Sequence, residues 1–520
     1  MEKIKEYLKK LAEVLLNHDL FRIVVLVMVV LRTSAFLNPY VGPFIKFTIV
    51  WAVLILIRDL FKERLFLVNR YRLILYLFLI AYGVTAILNR EENFARNVAM
   101  LGYLAVNMLV MYSYDVKRQA GEVKRQFMRL SHVFMAMSFV GQFISLVTFI
   151  LNINFSYTID GEIYYYGMYE GRLWGIFSNP NAASFYAVFC LMLTVICLMI
   201  WKGNTPRGWK IFYAVNMIVE ALVFFLCDSR ASLIAACVFL VVMPLLLSVP
   251  KLIRCWSDKK ERSARIWKTL AVCIVLPVVL MSTHGFALEV MPNLVIKSEF
   301  AEQLTESIIN SSEELAAVTS EETSEDVGRD FGTKFGGRYY LWQAGVEIAK
   351  KDPLFGVGFD NVPGYAYRYA ARYYTNFGSK VYLPGISGGM HNLLFQLAAS
   401  SGLIGLGLFV IFGVFVLVRT VRYYIWMVRN DRMNSIAIAC IGMIVVILLR
   451  SMLDVGVVYG MYEQTVIFWT TMSMLMYFID TEMPGGRRPL GAVIEQWIFG
   501  RNRDKGIPKL KFKPGRKTKK

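Results

Sequence analysis

Twelve apolar stretches, each about 17–22 residues long, run through this chain and decide most of what it can become. A stretch of that length crosses the hydrocarbon of a bilayer as one helix, whereas a soluble core has room for few of them. They lie near 21–38, 42–57, 72–88, 97–114, 130–151, 182–201, 209–227, 231–249, 267–284, 402–418, 435–451 and 458–479. Composition agrees, with 56% of the 520 residues hydrophobic and a mean hydropathy of +0.48. That is more apolar surface than a soluble fold hides, and lipid is the solvent that accepts it. The net charge of +19 would suit a nucleic-acid binder. Its lysines and arginines, however, form short clusters between spans and not one basic surface, so nucleic acid is not an expected partner.

Those clusters set an orientation. Arg58, Lys62, Arg64, Arg70 and Arg72 make one basic loop, and Lys117, Arg118, Lys124, Arg125 and Arg129 the next. Further clusters surround Lys202 to Lys210, Lys251 to Arg265 and Arg419 to Arg432, and the tail from Lys509 to Lys520 joins them. Every second loop is positive, which predicts that both termini face the cytoplasm and that the number of crossings is even. No removable leader is expected at the charged N-terminal stretch, Met1 to Asp19. The seven cysteines are scattered, none lies between Gly285 and Met390, and no CxxC or CxH pattern occurs. Neither a disulfide framework, a metal site nor a cofactor is expected.

The expected organisation is an all-α polytopic membrane protein of about twelve spans with a large outer loop before the tenth. Residues 1–284 carry spans one to nine, 285–390 the outer loop, 391–479 the last three spans, and 480–520 a basic cytoplasmic tail. Two loops on the outer side are long, Asn152 to Asn181 and Gly285 to about Met390. In the second, apolar residues at helical spacing predict a surface helix over Glu299 to Val318, and Thr319 to Asp330 reads as a mobile linker.

Four polar clusters fall on the predicted outer side. In the first, Arg172 precedes Phe177-Ser178-Asn179-Pro180-Asn181, a turn in which Asn181 is placed to cap the next helix. Arg172 offers planar donors to an anion, a role that lipid phosphate would also satisfy. The second is the tight turn Asp228-Ser229-Arg230, whose arginine either snorkels to phosphate or lines a cavity. Asn216 and Glu220 lie one helical turn apart upstream, and an intramembrane carboxylate is a functional candidate, although a hydrogen bond to a neighbouring helix would also account for it. The third, Gly336-Gly337-Arg338 through Trp342, opens a short helix to Lys351, with Arg338 and Trp342 on one face. Gly356-Val357-Gly358 follows; without a preceding strand it is no dinucleotide fingerprint. The fourth is Gly388-Gly389-Met390-His391-Asn392, where a helix begins. A histidine at a helix N-terminus is biased towards its neutral form, which makes His391 a candidate base as well as a simple capping residue.

The order and spacing of these clusters resemble the O-antigen ligase and Wzy-type polysaccharide polymerase superfamily. The resemblance runs over roughly residues 170–420 and rests on Arg172 with Ser178-Asn179-Pro180-Asn181, then Ser229-Arg230, Arg338 with Trp342, Gly356-Val357-Gly358, His391-Asn392 and the glycines from Gly402 to Gly407. It implies a GT-C-like, metal-independent, inverting glycosyltransferase of a bacterial cytoplasmic membrane. The donor and acceptor would be glycans on undecaprenyl diphosphate, with membrane lipids around them and a flippase and a chain-length regulator as protein partners. By that resemblance Arg172, Arg230 and Arg338 would bind the diphosphate, because a lipid diphosphate leaving group needs cations in a partly dry cavity. His391 would activate the attacking hydroxyl or hold the diphosphate, with Asn181, Glu220, Trp342 and Asn392 in support. The basic tail and the lack of a motif for a lipid A core acceptor lean towards a repeat-unit polymerase for capsule, exopolysaccharide or O-antigen, with ligase-type transfer as the alternative. A twelve-span transporter or lipid-linked glycan flippase is the reading of another class; it would be expected to show related halves and broken helices, and neither is legible here.

Overall fold

The computed structural model describes residues 2–63, 67–159, 162–291, 299–311, 315–317, 338–370, 375–377, 380–382, 386, 389–454, 456–484 and 494. The linker expected at Thr319 to Asp330, the glycines Gly336, Gly337 and Gly388, and nearly all of the basic tail lie outside those residues.

Each expected span is a helix. A first helix α1 (Glu2–Leu15) precedes α2 (His18–Arg32), α3 (Asn38–Arg58), α4 (Arg72–Leu88), α5 (Phe94–Ala105), α6 (Ala120–Ile150), α7 (Pro180–Trp201), α8 (Arg207–Leu226), α9 (Arg230–Arg254) and α10 (Lys259–Val290). After α11 (Glu299–Ile309), α12 (Arg338–Lys351) and α13 (Val362–Tyr369) come α14 (Leu393–Arg429), α15 (Ser435–Arg450) and α16 (Glu463–Glu482). Among the described residues eight helices are long and apolar enough to cross a membrane, or nine if α1 and α2, bent by 53°, make one broken span. The remaining expected spans are the shorter apolar helices α4 and α15 and the more polar α16. Length and composition therefore support eight or nine spans where about twelve were expected.

The polarity of α16 has a physical cause. It is buried along nearly its whole length, with Thr465, Thr471 and Ser473 shut inside the bundle. A helix surrounded by other helices need not be as apolar as one bathed in lipid, because its hydroxyls bond locally: Ser473 Oγ donates to the Thr470 carbonyl at 2.8 Å. By contrast α10 turns Trp267, Ile274, Val275, Val278 and Met281 outward, as a lipid-facing helix does.

The fold is mostly, not wholly, helical, which corrects the all-α expectation. The loop after α6 folds into β1 (Phe155–Ile159), β2 (Glu162–Tyr169) and β3 (Arg172–Gly175), and β4 (Leu315–Ala317) completes an antiparallel sheet in the order β3-β2-β1-β4. The surface helix expected over Glu299 to Val318 stops at Ile309, and the chain pairs Leu315–Ala317 with Tyr157, Ser156 and Phe155 of β1. Tyr166 and Tyr164 of β2 stack on Phe155 and Tyr157 of β1, which gives the sheet one aromatic face. A two-stranded hairpin, β5 (Thr375–Phe377) with β6 (Lys380–Tyr382), lies further on.

Two glycine motifs form one joint. Helix α14 is broken at Gly402 (φ +60°), which exposes backbone groups on both sides of the break. The segment around Gly356-Val357-Gly358 satisfies them: Val357 N donates to Ala399 O at 2.9 Å, Gly358 N to Ser400 O at 3.0 Å and Leu403 N to Pro353 O at 2.8 Å. A Cβ on Gly402 would lie 2.3 Å from the Leu354 carbonyl oxygen, so only glycine permits the approach. This joint fixes the end of α12 against α14, where Gly345 packs on Met390 and Trp342 stacks on Phe395 at 5.7 Å.

Candidate active site

The site is assembled at the end of the bundle away from the basic loops. His391 sits at φ +45° just before α14, and Asn392 is the capping residue; its Oδ1 accepts from Leu394 N at 3.0 Å and Phe395 N at 3.4 Å. The other end of that amide donates to Met452 O at 2.9 Å, and Leu393 N donates to Ser451 O at 2.9 Å. The His391 turn is thereby stitched to the turn that follows α15, and that turn carries Asp454.

His391 Nδ1 lies 3.2 Å from Asp454 Oδ1. The second carboxylate oxygen of Asp454 accepts from Arg450 Nη2 at 2.9 Å. Arg450, only 2% exposed, also donates to Gln464 Oε1 and lies 4.3 Å over the ring of Phe185. A buried guanidinium needs such a set of partners. His391, Asp454, Arg450 and Gln464 border an open cavity of about 290 Å³ together with Arg32, Asn179, Asn181, Tyr462 and Glu463. An imidazole held through Nδ1 by a carboxylate carries its proton there, which makes Nε2 the acceptor.

The arginines read from the sequence gather beside this chain of groups. Arg338, the first residue of α12, has its pKa pulled below the usual arginine value by burial; Asp454 opposes that shift, while Arg450 and Arg230 add to it. Those influences put Arg338, Arg230, Arg450 and Asp454 within one electrostatic neighbourhood. Arg230 opens α9 and is exposed. Arg172, on β3, takes a different place: its Nε donates to the Cys227 carbonyl at 2.8 Å, and its Nη2 to Asn181 Oδ1 at 2.8 Å. It ties the sheet to the turn before Arg230 and holds a cavity-lining amide.

Three expectations change. Asn179, not Asn181, caps α7, accepting from Asn181 N at 2.7 Å; with the proline at the first helical position, the cap falls two residues before Asn181. Glu220 is wholly buried among α6, α7 and α8 and is not part of the cavity lining. Trp342 packs against the small core that α12, α13 and the start of α14 share, on the side of α12 that faces Phe395. Arg450, Asp454 and Arg32 were not singled out from the sequence. Arg450 and Asp454 stand four apart around the end of an apolar span, and that spacing was their only signal.

Residues 212–410 match the family model Wzy_C, O-Antigen ligase. The resemblance carried by the motifs is thus borne out over that segment. No curated protein matches the chain. The O-antigen ligase match contains Arg230, Arg338, His391 and Asn392, whereas Arg172 and Asn181 precede it and Arg450 and Asp454 follow it. Enzymes of the O-antigen ligase family are polytopic membrane proteins that transfer lipid-linked glycans. Among the described residues no group of three or more His, Cys, Asp or Glu side chains is arranged to hold a metal ion.

Proposed function

We propose that this protein polymerises undecaprenyl-diphosphate-linked oligosaccharide repeat units at the outer face of a bacterial cytoplasmic membrane. In this reading the chain crosses about twelve times, both termini are cytoplasmic, and the cavity opens outward. The observation that carries it is the relay His391–Asp454–Arg450 on the rim of a cavity, with Arg338 and Arg230 close by.

The acceptor hydroxyl oxygen attacks the anomeric carbon of the donor as the bond from that carbon to the diphosphate oxygen breaks. His391 takes the hydroxyl proton, and Asp454 steadies the imidazolium that results. The departing diphosphate gathers negative charge, which Arg338 and Arg230 neutralise without a metal in a site partly shielded from water. One direct displacement inverts the anomeric carbon. Arg172 positions Asn181 at the cavity wall. The donor and acceptor are both lipid-linked glycans, and a flippase and a chain-length regulator are the protein partners this chemistry calls for.

The basic tail and the lack of a lipid A core acceptor motif favour polymerisation over transfer to another acceptor. The test is to incubate the purified protein with lipid-linked repeat units and resolve the products on a gel. A ladder is the expected result. One shifted band, seen only with an added acceptor, would make the protein a ligase, and no product at all would return it to transport.

A further inference from the structure

The outer sheet carries an aromatic corner for which the transfer chemistry has no use. Tyr165 and Tyr169 stack with centroids 3.4 Å apart at 10°, and Trp174 stands edge-on to both at 5.7 Å, at 67° and 77°. All three rings are partly exposed. Stability of the sheet does not require them, because its core is made on the other side by Phe155, Tyr157 and Tyr166 against Phe36, and Leu173 faces inward. The indole Nε1 of Trp174 is buried and, among the described residues, has no hydrogen-bond partner. An indole usually finds one when it is covered.

The place of the corner is specific. Tyr169 is the cross-strand partner of Arg172, so Arg172 borders the rings on the same face. Arg172 in turn holds Asn181, which lines the cavity beside His391. The rings are therefore one side chain removed from the reaction cavity. Tyrosine and tryptophan also anchor proteins at the membrane surface, but an anchoring ring turns to lipid, whereas these three pack on one another and on the strand that carries Arg172.

We propose that Tyr165, Tyr169 and Trp174 form a sugar-binding subsite that takes a pyranose ring of the glycan next to its reacting end. The inference rests on the glycan-transfer reading above. The C–H face of a pyranose lies flat on an aromatic ring, and its rim hydroxyls find partners in the tyrosine hydroxyls. Ordinary lipid phosphate offers no such face.

The test compares two probes on the full-length protein in nanodiscs: undecaprenyl diphosphate carrying the repeat unit, and bare undecaprenyl diphosphate. Trp174→Ala should weaken binding of the sugar-bearing lipid about tenfold and leave the bare lipid within about twofold. Trp174→Phe, with an unchanged thermal midpoint, should restore most of the loss, and Tyr169→Ala should repeat it. Equal weakening of both lipids would reduce the corner to a structural support. No change in either would leave it a membrane anchor, and both results overturn the proposal. Failure of the transfer reading has its own signature in the ladder assay, a wild-type protein that binds the sugar-bearing lipid yet forms no product.

Discussion

Two histidine–aspartate pairs stand at opposite ends of the bundle, made of the same residues and enclosed in different ways. At the basic face His18 Nε2 lies 3.0 and 3.1 Å from the two oxygens of Asp59. Asp59 is 0% exposed, and His18 Nδ1 is sealed in protein with no partner among the described residues. Beside it Arg118 clasps Asp19 through two bonds of 2.9 and 2.8 Å. These pairs join α2 to the turn after α3 and to the start of α6. At the other face His391 uses Nδ1, and the second oxygen of its aspartate belongs to Arg450. The two side chains are 22% and 18% exposed on the rim of the cavity. An imidazole clamped by both oxygens of a buried carboxylate is a joint. One oriented through a single nitrogen at a cavity edge is able to exchange a proton.

Removing His391 should separate the pairs most sharply. His391→Ala is expected to lower glycan transfer about 10²–10⁴-fold, the usual worth of a positioned base, with the protein still folded. Arg230→Ala should likewise abolish polymer, since the diphosphate loses a cation near Arg338. Undiminished ladders from both variants would end the distinction. Asp454→Asn comes next, with a loss of roughly 10²-fold, because the amide keeps the shape but not the charge that steadies an imidazolium. Asp454→Ala goes further in stability, leaving Arg450 buried without its carboxylate at a cost of about 3–5 kcal/mol, seen as a lowered thermal midpoint.

How much of this was legible in the sequence depends on the range of the interaction involved. The spans were legible because hydrophobicity over one helix length is a local signal, and α16 read correctly as a helix even though its burial against protein relaxed its composition. The sheet was not: β2 is interrupted by Gly167, β3 follows Gly171, and β4 pairs with a strand about 160 residues earlier. Gly356-Val357-Gly358 and Gly402 read as separate motifs, although they close one backbone joint, because nothing in either predicts hydrogen bonds between them. Arg450 at the end of an apolar span looks like a residue that snorkels to phosphate, and only its packing on Phe185 and Gln464 shows that it points inward. The gathering of Arg230, Arg338 and Asp454 from three distant segments left no trace in spacing.

Arg338→Lys tests the surroundings of the His391–Asp454 pair with a smaller change. A point charge replaces a planar fork, so transfer should fall about tenfold. Burial and the charges of Arg450 and Arg230, which already pull the arginine below its usual value, would draw a lysine towards its neutral form. A lysine loses its proton as pH rises, so the deficit should deepen at alkaline pH and shrink on acidification. A variant with the wild-type rate and pH profile would confine Arg338 to structure.

The smallest effect on catalysis should come from the His18–Asp59 pair. His18→Ala removes both bonds to Asp59 and leaves a buried carboxylate short of a partner, which should destabilise the protein by about 1–3 kcal/mol. Activity per folded molecule should stay within about twofold, because α2 separates His18 from Arg32 at the cavity by nearly its full length, roughly 20 Å. Thermal melting and the ladder assay on the same preparation read the two quantities apart. A variant that melts normally yet loses transfer as His391→Ala does would mean that enclosure does not distinguish the pairs, and that the imidazole at the basic face takes part in the reaction at the other.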